Sequence, residues 1–473
     1  MCALSRRAAI TAAAALPALA VLPPARSQAQ PASPPPAAPP AEKPLFGASL
    51  WTLPNGLTVV HAENRRAPVV AHYVFYSVGA GEDPAGKSGL AHFLEHMMFK
   101  GSPNVPSGAF SRRVAREGGQ DNAFTSRDVT AYHQHVEATR LALVAGMEAD
   151  RMAAALFPAD EIEAERQVVQ EERRQRVEST ARGRFREEWD AAFWGRQHWR
   201  GRPLIGWPED IASLSRDDML EFFRTYYTPA NATLVVTGAI GREALEKLAL
   251  ADYGGIQGRP APYDKGRRNR APAPDAPREE RLVRRDPTVQ EAAFLRGWVA
   301  PTLVPTTAGA TPSEHAYPLE VLSHLLGGGQ GSRLHEALVQ SGLAVSAGCG
   351  YDGDAIGVGN LELFVTPRRE TSTAKLEEAV GACIGELLEK GVTEAEVARS
   401  IRQLTAGTLL ALDSLGTAPR ILGGALATGL PLDAIEYWPA RIRAVTRAQV
   451  EAAARAVLAR PSMSGWLLPE GAA

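Results

Sequence analysis

Apolar residues recur along the chain with two different periods, which predict a mixture of strands and helices. Asn55-Gly56 between two short apolar runs predicts a β-hairpin near the start of the folded chain. Runs rich in β-branched and aromatic residues predict further strands at 69–78, 129–136 and 232–238. Apolar residues at helical spacing predict helices at 90–99, 107–117, 137–155, 159–177 and 217–227.

The pattern of the first half recurs in the second half. A buried strand predicted at 291–299 is again followed by a loop and then by an apolar helix, predicted at 317–326. A repeat of about 200 residues is too long for a solenoid unit. We therefore expect a duplicated domain.

The first residues have the features of an export signal. Arg6 and Arg7 precede an apolar run at 8–22, and small residues that suit cleavage follow it. We expect a signal peptide at 1–29 and export to the periplasm, with Sec and Tat export both open. The alternative is an uncleaved membrane anchor. Residues 30–44 are rich in Pro and Ala and are expected to form an extended tether.

Composition changes mark the remaining boundaries. We expect an N-terminal catalytic domain at 45–253, a linker rich in Pro, Gly and charge at 254–278, and a non-catalytic C-terminal domain at 279–473. No segment after the leader is long and apolar enough to predict a stable membrane span.

Charge and cysteine content exclude some classes of protein. The 473 residues carry a formal net charge of −2, so there is no basic field and we expect no nucleic-acid partner. No Cys-x-x-Cys pair offers zinc ligands. The sequence leaves open whether Cys349 and Cys383 form a disulfide.

Three ionisable residues interrupt the apolar helix predicted at 90–99. His92, Glu95 and His96 have spacings of three and four residues, so they share one helix face. Burying such groups is costly unless each finds a partner. Each could find its own hydrogen bond, but His-x-x-Glu-His is the inverzincin zinc signature. We predict that the two histidines bind Zn²⁺.

The corresponding helix of the second half lacks this set. Aligning the two helices places Glu320 at the position of His92 and Ser323 at the position of Glu95. The second domain is therefore expected to have kept the helix and lost the ligands.

A catalytic zinc site usually takes three protein ligands. The acidic helix predicted at 159–177 is the best source of the third. Glu165 and Glu172 lie two turns apart and are expected to share a buried face with Val168 and Val169. We predict that Glu172 ligates zinc and that Glu165 accepts a hydrogen bond from a ligand imidazole. Spacing alone does not separate Glu171 from Glu172.

These motifs resemble those of the pitrilysin-like (insulinase-type) zinc peptidases, in particular the half-length members related to mitochondrial processing peptidase. The resemblance covers nearly the whole chain after the leader. It rests on the segments 89–101, 122–126, 165–172, 226–232 and 327–334 and on Tyr132.

The resemblance implies a fold and a mechanism. The fold is α+β, with two tandem homologous domains that are each a mostly antiparallel sheet packed with helices. One Zn²⁺ per chain is held by His92, His96 and Glu172, because the family's spacing between its second and third ligands selects Glu172. Glu95 is the general base for water attack on a peptide bond, which makes the chain a metalloendopeptidase.

The resemblance also assigns a substrate site. Asn122, Ala123 and Phe124 match the edge strand along which the family aligns its peptide substrate by strand addition. Without the resemblance, the interpretation of Asn122 as a residue that caps a turn would be favoured.

One part of the chain departs from the family pattern. Self-sufficient members carry an arginine and a tyrosine in the second domain, but here Leu338 or Val339 and Val345 stand in their places. Some half-length relatives work as heterodimers, so we expect a homologous partner subunit that carries the Arg/Tyr pair. A homodimer is less expected.

Other functional classes fit the sequence less well. A non-catalytic core subunit of a peptidase-like complex would not need an intact zinc set. Two histidines and a carboxylate also suit Fe(II), but an adjacent Glu95 fits hydrolysis better. The glycine loop at 327–334 lacks the Gly-Lys-Ser/Thr ending of a phosphate-binding loop.

Overall fold

The computed structural model describes residues 43–471, apart from 264–267, 269, 273, 306–312 and 413. The predicted signal peptide at 1–29 and the tether as far as residue 42 lie outside the described residues. None of the described helices combines the length and the apolar composition that crossing a membrane requires.

The first half of the chain forms a six-stranded sheet and a short hairpin. The sheet has the order β1-β2-β8-β3-β7-β6, in which only β2 and β8 are parallel neighbours. The strands are β1 (Ser49–Thr52), β2 (Thr58–Glu63), β3 (Val69–Tyr76), β4 (Gly101–Ser102), β5 (Val105–Pro106), β6 (Gln120–Thr125), β7 (Thr130–Glu137) and β8 (Ala232–Gly238), with β4 and β5 forming the hairpin.

The helices of the first half lie between and after these strands along the chain. They are α1 (Leu90–Met97), α2 (Ala109–Arg116), α3 (Leu141–Ala154), α4 (Ala159–Arg173), α5 (Ala181–Trp194), α6 (Pro208–Ser213), α7 (Arg216–Tyr226) and α8 (Arg242–Tyr253). A π-helical segment, Arg174–Glu178, continues α4, and short 3₁₀ turns occur at Ala80–Glu82, Ala138–Arg140 and Pro229–Asn231.

The second half forms a five-stranded sheet with its own helices. Its strands are β9 (Arg281–Asp286), β10 (Ala293–Ala300), β11 (Ala344–Tyr351), β12 (Gly359–Pro367) and β13 (Met463–Pro469). Its helices are α9 (Ala316–Gly327), the π-helix His335–Gln340, α10 (Thr373–Lys390), α11 (Glu394–Ala411), α12 (Thr417–Thr428), α13 (Leu432–Glu436), α14 (Trp438–Arg443) and α15 (Arg447–Leu458).

The two sheets share one topology. The second has the order β9-β13-β10-β12-β11, and its only parallel pair is β9 with β13. This order repeats β2-β8-β3-β7-β6 of the first half, strand for strand. The predicted α+β fold with two homologous, mostly antiparallel domains is confirmed.

Each half also contributes one helix to the sheet of the other half. Helix α5 packs on β9 and β13, and the ring of Trp189 lies against Gly465 of β13 and against Gly297 of the neighbouring β10. Helix α12 packs on β3 and β8, where Gly423 lies against the ring of Phe75. Neither sheet therefore completes its core without the other half.

The segment between α8 and β9, which contains the predicted linker, is held tightly where the structure describes it. The side chains of Arg268 and Arg270 are buried and both donate to Glu82, at 3.0 Å and 2.7 Å respectively. Arg268 also donates to the carbonyl oxygen of Ala427 in α12. These contacts fasten the two halves to each other.

Most predicted elements are present, with differences at particular places. The hairpin around Asn55-Gly56 is β1 and β2. The predicted helix at 137–155 begins only at Leu141, because β7 runs on to Glu137. Cys349 and Cys383 are free thiols, which answers the question that the sequence left open.

Candidate metal centre

Helix α1 is fixed at its N-terminus by a buried carboxylate. Asp83 accepts hydrogen bonds from the backbone N–H groups of Gly89 and Ala91, at 2.8 Å and 2.9 Å. These are donors that a helix start leaves without an intrahelical partner. Gly89 has a φ of 89°, and a Cβ there would lie 2.4 Å from the carbonyl oxygen of Ile205. Only glycine fits, so the start of α1 is tightly defined.

Three of the predicted site residues converge at one point. His92 and His96 project from α1, and Glu172 reaches them from α4. Glu172 Oε2 lies 3.5 Å from Nε2 of His92 and 3.3 Å from Nε2 of His96. Among the described residues, this is the one group of three or more His, Cys, Asp and Glu residues that is close enough to hold a metal ion.

The donor set fits zinc. Tetrahedral zinc with ligands at about 2.0–2.1 Å separates its ligand atoms by roughly 3.3 Å, which matches the spacings from Glu172 to the two imidazoles. Glu172 Oε2 is buried and has no hydrogen-bond partner among the described residues. A buried carboxylate oxygen without a partner is costly, and a cation at this point would satisfy it.

His96 is oriented by a second carboxylate. Its Nδ1 lies 2.7 Å from Oε1 of Glu165, and a carboxylate only accepts, so Nδ1 carries the proton and donates. In the neutral imidazole, which is the form that binds a metal, the lone pair is then on Nε2, and this atom faces Glu172. The other oxygen of Glu165 pairs with Lys100 at 2.6 Å, and Lys100 also contacts Glu161 at 3.2 Å.

Glu95 lies beside the cluster but is not part of it. Its Oε2 accepts a hydrogen bond of 2.5 Å from the hydroxyl of Thr125 on β6. Burial raises the pKa of Glu95 above its usual value. The hydrogen bond from Thr125 and the nearby His96 act in the opposite direction but do not cancel this shift. A buried carboxylate with a raised pKa is suited to taking up a proton.

The structure separates the two neighbouring glutamates of α4. Glu172 points into the cluster, and its Oε1 pairs with Arg176 at 2.6 Å. The side chain of Glu171 is 47% exposed and pairs with Arg174. The prediction that Val168 shares the buried face was wrong: Val169 is fully buried, but Val168 is 49% exposed. Consecutive residues are rotated by about 100° on a helix, which turns Val168 to solvent.

The two histidines have opposite electrostatic environments. Burial lowers the pKa of His92 to about 4, with a contribution from neighbouring His96. Burial also acts to lower the pKa of His96, but Glu165 and Glu172 outweigh it and raise that pKa to about 9. Glu165 itself has its pKa lowered to about 2 by the hydrogen bond from His96 and by Lys100.

The predicted substrate residues lie on the edge strand β6. Asn122 is opposite His133 of β7, Ala123 is opposite Tyr132 and Phe124 is opposite Ala131. Asn122 is exposed inside a strand, so its interpretation as a turn cap was wrong. In the described sheet the outer side of β6 has no neighbouring strand, so its backbone can pair with an added one.

The matching helix of the second half has different chemistry. In α9, Glu320 is buried and accepts a hydrogen bond of 3.1 Å from the indole of Trp438. The hydroxyl of Ser323 bonds the backbone oxygen of Glu320. Leu338 is fully buried, and Val345 on the edge strand β11 is 57% exposed.

Comparison with protein families agrees with this division. Residues 58–205, which contain the metal cluster, match the model described as "Insulinase (Peptidase family M16)". Residues 213–404 match the model described as "Peptidase M16 inactive domain". The chain belongs to the M16 (insulinase) peptidase family. The second match covers much of the half in which the predicted ligands are absent.

Relatives and solved structures extend the similarity. An uncharacterized zinc protease of Mycobacterium tuberculosis is 29% identical over 433 residues, which cover 89% of this chain and 93% of the relative. The zinc protease PqqE of Helicobacter pylori is 33% identical over 61% of this chain and 63% of its own length. The crystal structure of a protease from Helicobacter pylori aligns with a TM-score of 0.79 and 24% identity, covering 90% of this chain and all of that one, which shows the shared fold.

Three residues that contact the site residues were not predicted from the sequence: Thr125, Lys100 and Arg176. Thr125 lies in the motif segment 122–126 and Lys100 lies in the segment 89–101, but neither segment shows what the side chain contacts. Arg176 stands one turn after Glu172, a spacing at which opposite charges pair on a helix. That spacing is the one signal that indicated any of these contacts.

Proposed function

We propose that the protein is an exported zinc metalloendopeptidase of peptides or unfolded polypeptide segments. The observation that carries the proposal is the buried, unpartnered Oε2 of Glu172, which faces two imidazole Nε2 atoms at tetrahedral ligand spacing. The names of the M. tuberculosis and H. pylori relatives, both zinc proteases, support the choice of metal.

Each residue of the site has a distinct part in the proposed reaction. His92, His96 and Glu172 hold one zinc ion, which when bound polarises the scissile carbonyl and acidifies water. Glu95 takes the proton of the attacking water and delivers it to the leaving amine. Thr125 fixes the Glu95 carboxylate by donating to one oxygen, which leaves the other free for the proton.

The substrate is proposed to bind as an additional strand along β6. Thr125 belongs to β6 and its hydroxyl contacts Glu95. A peptide that is hydrogen-bonded to β6 would therefore pass beside Glu95 and the metal cluster. Main-chain pairing gives affinity that does not depend on sequence. Asn122, Ala123 and Phe124 would form the paired segment.

A homologous partner subunit is proposed to complete the site. Leu338 or Val339 stands at the position of the family's arginine, and Val345 stands at that of the tyrosine. None of these side chains can hydrogen-bond a peptide or an oxyanion. A second chain that carries those two groups would supply them. Export to the periplasm is proposed from Arg6, Arg7 and the apolar run that follows.

Matched substitutions test the assignment of the metal and the base. Glu172→Gln is expected to lose zinc, whereas Glu171→Gln on the same helix turn keeps it. Glu95→Gln is expected to bind one zinc per chain and lose cleavage of a quenched peptide library by at least about a hundredfold. Full activity in Glu95→Gln, or an unchanged zinc content in Glu172→Gln, would refute the mechanism.

The partner proposal has its own test. Peptidase activity is measured for the purified chain alone and after mixing with a candidate homologous subunit that carries the Arg/Tyr pair. We expect activity to rise strongly on mixing. High activity of the isolated chain would exclude a required partner and leave the metal assignment intact.

A further inference from the structure

The sheet face that points away from the metal cluster carries a second set of polar groups near the open edge. Residues directly opposite each other in an antiparallel pair point to the same face. Tyr73, His133 and Asn122 are opposite one another on β3, β7 and β6, so they form a row that ends at the edge. Phe124 lies two residues further along β6 and faces the same way.

A cation from the second half covers this row. Arg420 projects from α12, and its guanidinium carbon lies 5.2 Å from the centre of the Phe124 ring. The side chain is exposed. No described carboxylate forms an ion pair with Arg420.

The neighbours of Arg420 do not neutralise its charge. Burial, and then Arg420, lower the pKa of His135, whose Nε2 lies 3.0 Å from the hydroxyl of Tyr73. Burial, His135 and Arg420 lower the pKa of His133 to about 3. Burial raises the pKa of Tyr73. All three are uncharged near neutral pH, so Arg420 is the charged group that the described residues place at the edge of this face.

We propose that this face is a subsite for an acidic side chain of the peptide substrate. Arg420 binds the carboxylate and Phe124 forms an apolar wall beside it. The inference rests on the proposed function, because it requires that a peptide adds to the edge of β6. Side chains of an added strand alternate between the two faces. The preference for an acidic residue is therefore expected at peptide positions two residues apart and not at the position between them.

Peptide binding tests the subsite without cleavage. The zinc-loaded Glu95→Gln variant is titrated with fluorescent ten-residue peptides that carry either Glu or Gln at each central position in turn. Capped ends leave the side chain as the only carboxylate. We expect Glu to bind about three- to fivefold more tightly than Gln at one position or at two positions separated by one residue.

Substitution of Arg420 then assigns the effect. Adding Arg420→Gln is expected to bring the Glu/Gln ratio to about one, and Arg420→Glu is expected to favour Lys instead. Arg455→Gln, an exposed arginine of α15, serves as the matched control and leaves the ratio unchanged.

The outcomes distinguish the subsite from the proposed function. Equal binding of Glu and Gln peptides at every position, or a preference that survives Arg420→Gln, would overturn the subsite and leave strand addition intact. Binding of no peptide at all would overturn strand addition along β6, and the subsite with it.

Discussion

Lys100 and Glu165 form an ion pair of 2.6 Å, and the same carboxylate accepts a hydrogen bond of 2.7 Å from His96 through its other oxygen. Glu165 therefore links the partly exposed ammonium group of Lys100 to His96, a proposed zinc ligand. Groups that hold a ligand imidazole affect metal affinity by about 10–100-fold when they are removed. Lys100 acts through Glu165, so its effect should lie at the lower end of that range.

Lys100→Met is therefore expected to weaken zinc binding by about tenfold. The measurement is competition for zinc with a chromophoric chelator. Lys87→Met is the matched control, since Lys87 forms an ion pair of similar exposure with Asp218 and has no contact with the metal cluster. Equal zinc affinity of Lys100→Met and the wild type would show that Glu165 holds His96 without help from Lys100.

Two adjacent glycines of α12 give opposite predictions. A Cβ on Gly423 would lie 2.0 Å from a ring carbon of Phe75 in the first sheet, whereas a Cβ on Gly424 would meet nothing within 4 Å. Gly423→Ala should lower the free energy of unfolding by about 1–3 kcal/mol through overpacking. Gly424→Ala should raise it by roughly 0.5–1 kcal/mol, because alanine favours the helix.

Urea unfolding of both variants measures the contact between the halves. Because α12 belongs to the second half of the chain and packs on the first sheet, Gly423→Ala tests that contact directly. A Gly423→Ala variant as stable as the wild type would contradict the close packing of α12 on β3.

The sequence was sufficient for those parts of the site that depend on local spacing. His92, Glu95 and His96 share a helix face because of helical geometry alone, and the apolar residues around them predict burial. Glu172 required more, since Glu171 has an equally plausible spacing. Helix rotation separates the two in the structure, where Glu171 faces solvent.

Contacts between distant segments could not be predicted in the same way. The apolar residues of α5 indicate that the helix is buried, but not that Trp189 packs on the sheet of the second half. The position of Arg420 beside Phe124 could not be predicted either, because it depends on the packing of α12 from the second half on the sheet of the first half. Hydrophobic periodicity shows which face of a helix is buried and carries no information about the surface that covers it.

The ion pair between Arg333 and Glu396 gives a pH-dependent prediction. Arg333 lies in the glycine loop at 327–334, and its Nε donates to Glu396 at 2.7 Å near the start of α11. Burial acts to raise the pKa of Glu396, but Arg333 and the backbone N–H of Thr393 outweigh it and lower the pKa to about 2. A carboxyl group with a lowered pKa stabilises the folded state above its unfolded pKa. That contribution disappears as the pH falls from about 4.5 towards 2.

Glu396→Gln isolates this charge, because glutamine can still donate and accept at the helix start, where Thr393 and Glu396 form a capping box. We expect the variant to unfold about 1 kcal/mol more easily than the wild type at pH 7 and at pH 5.5. The difference should shrink at pH 3.5, since part of the wild-type advantage is lost there. Urea titrations at the three pH values measure it, and a difference that is constant across them would assign the effect to packing instead of charge.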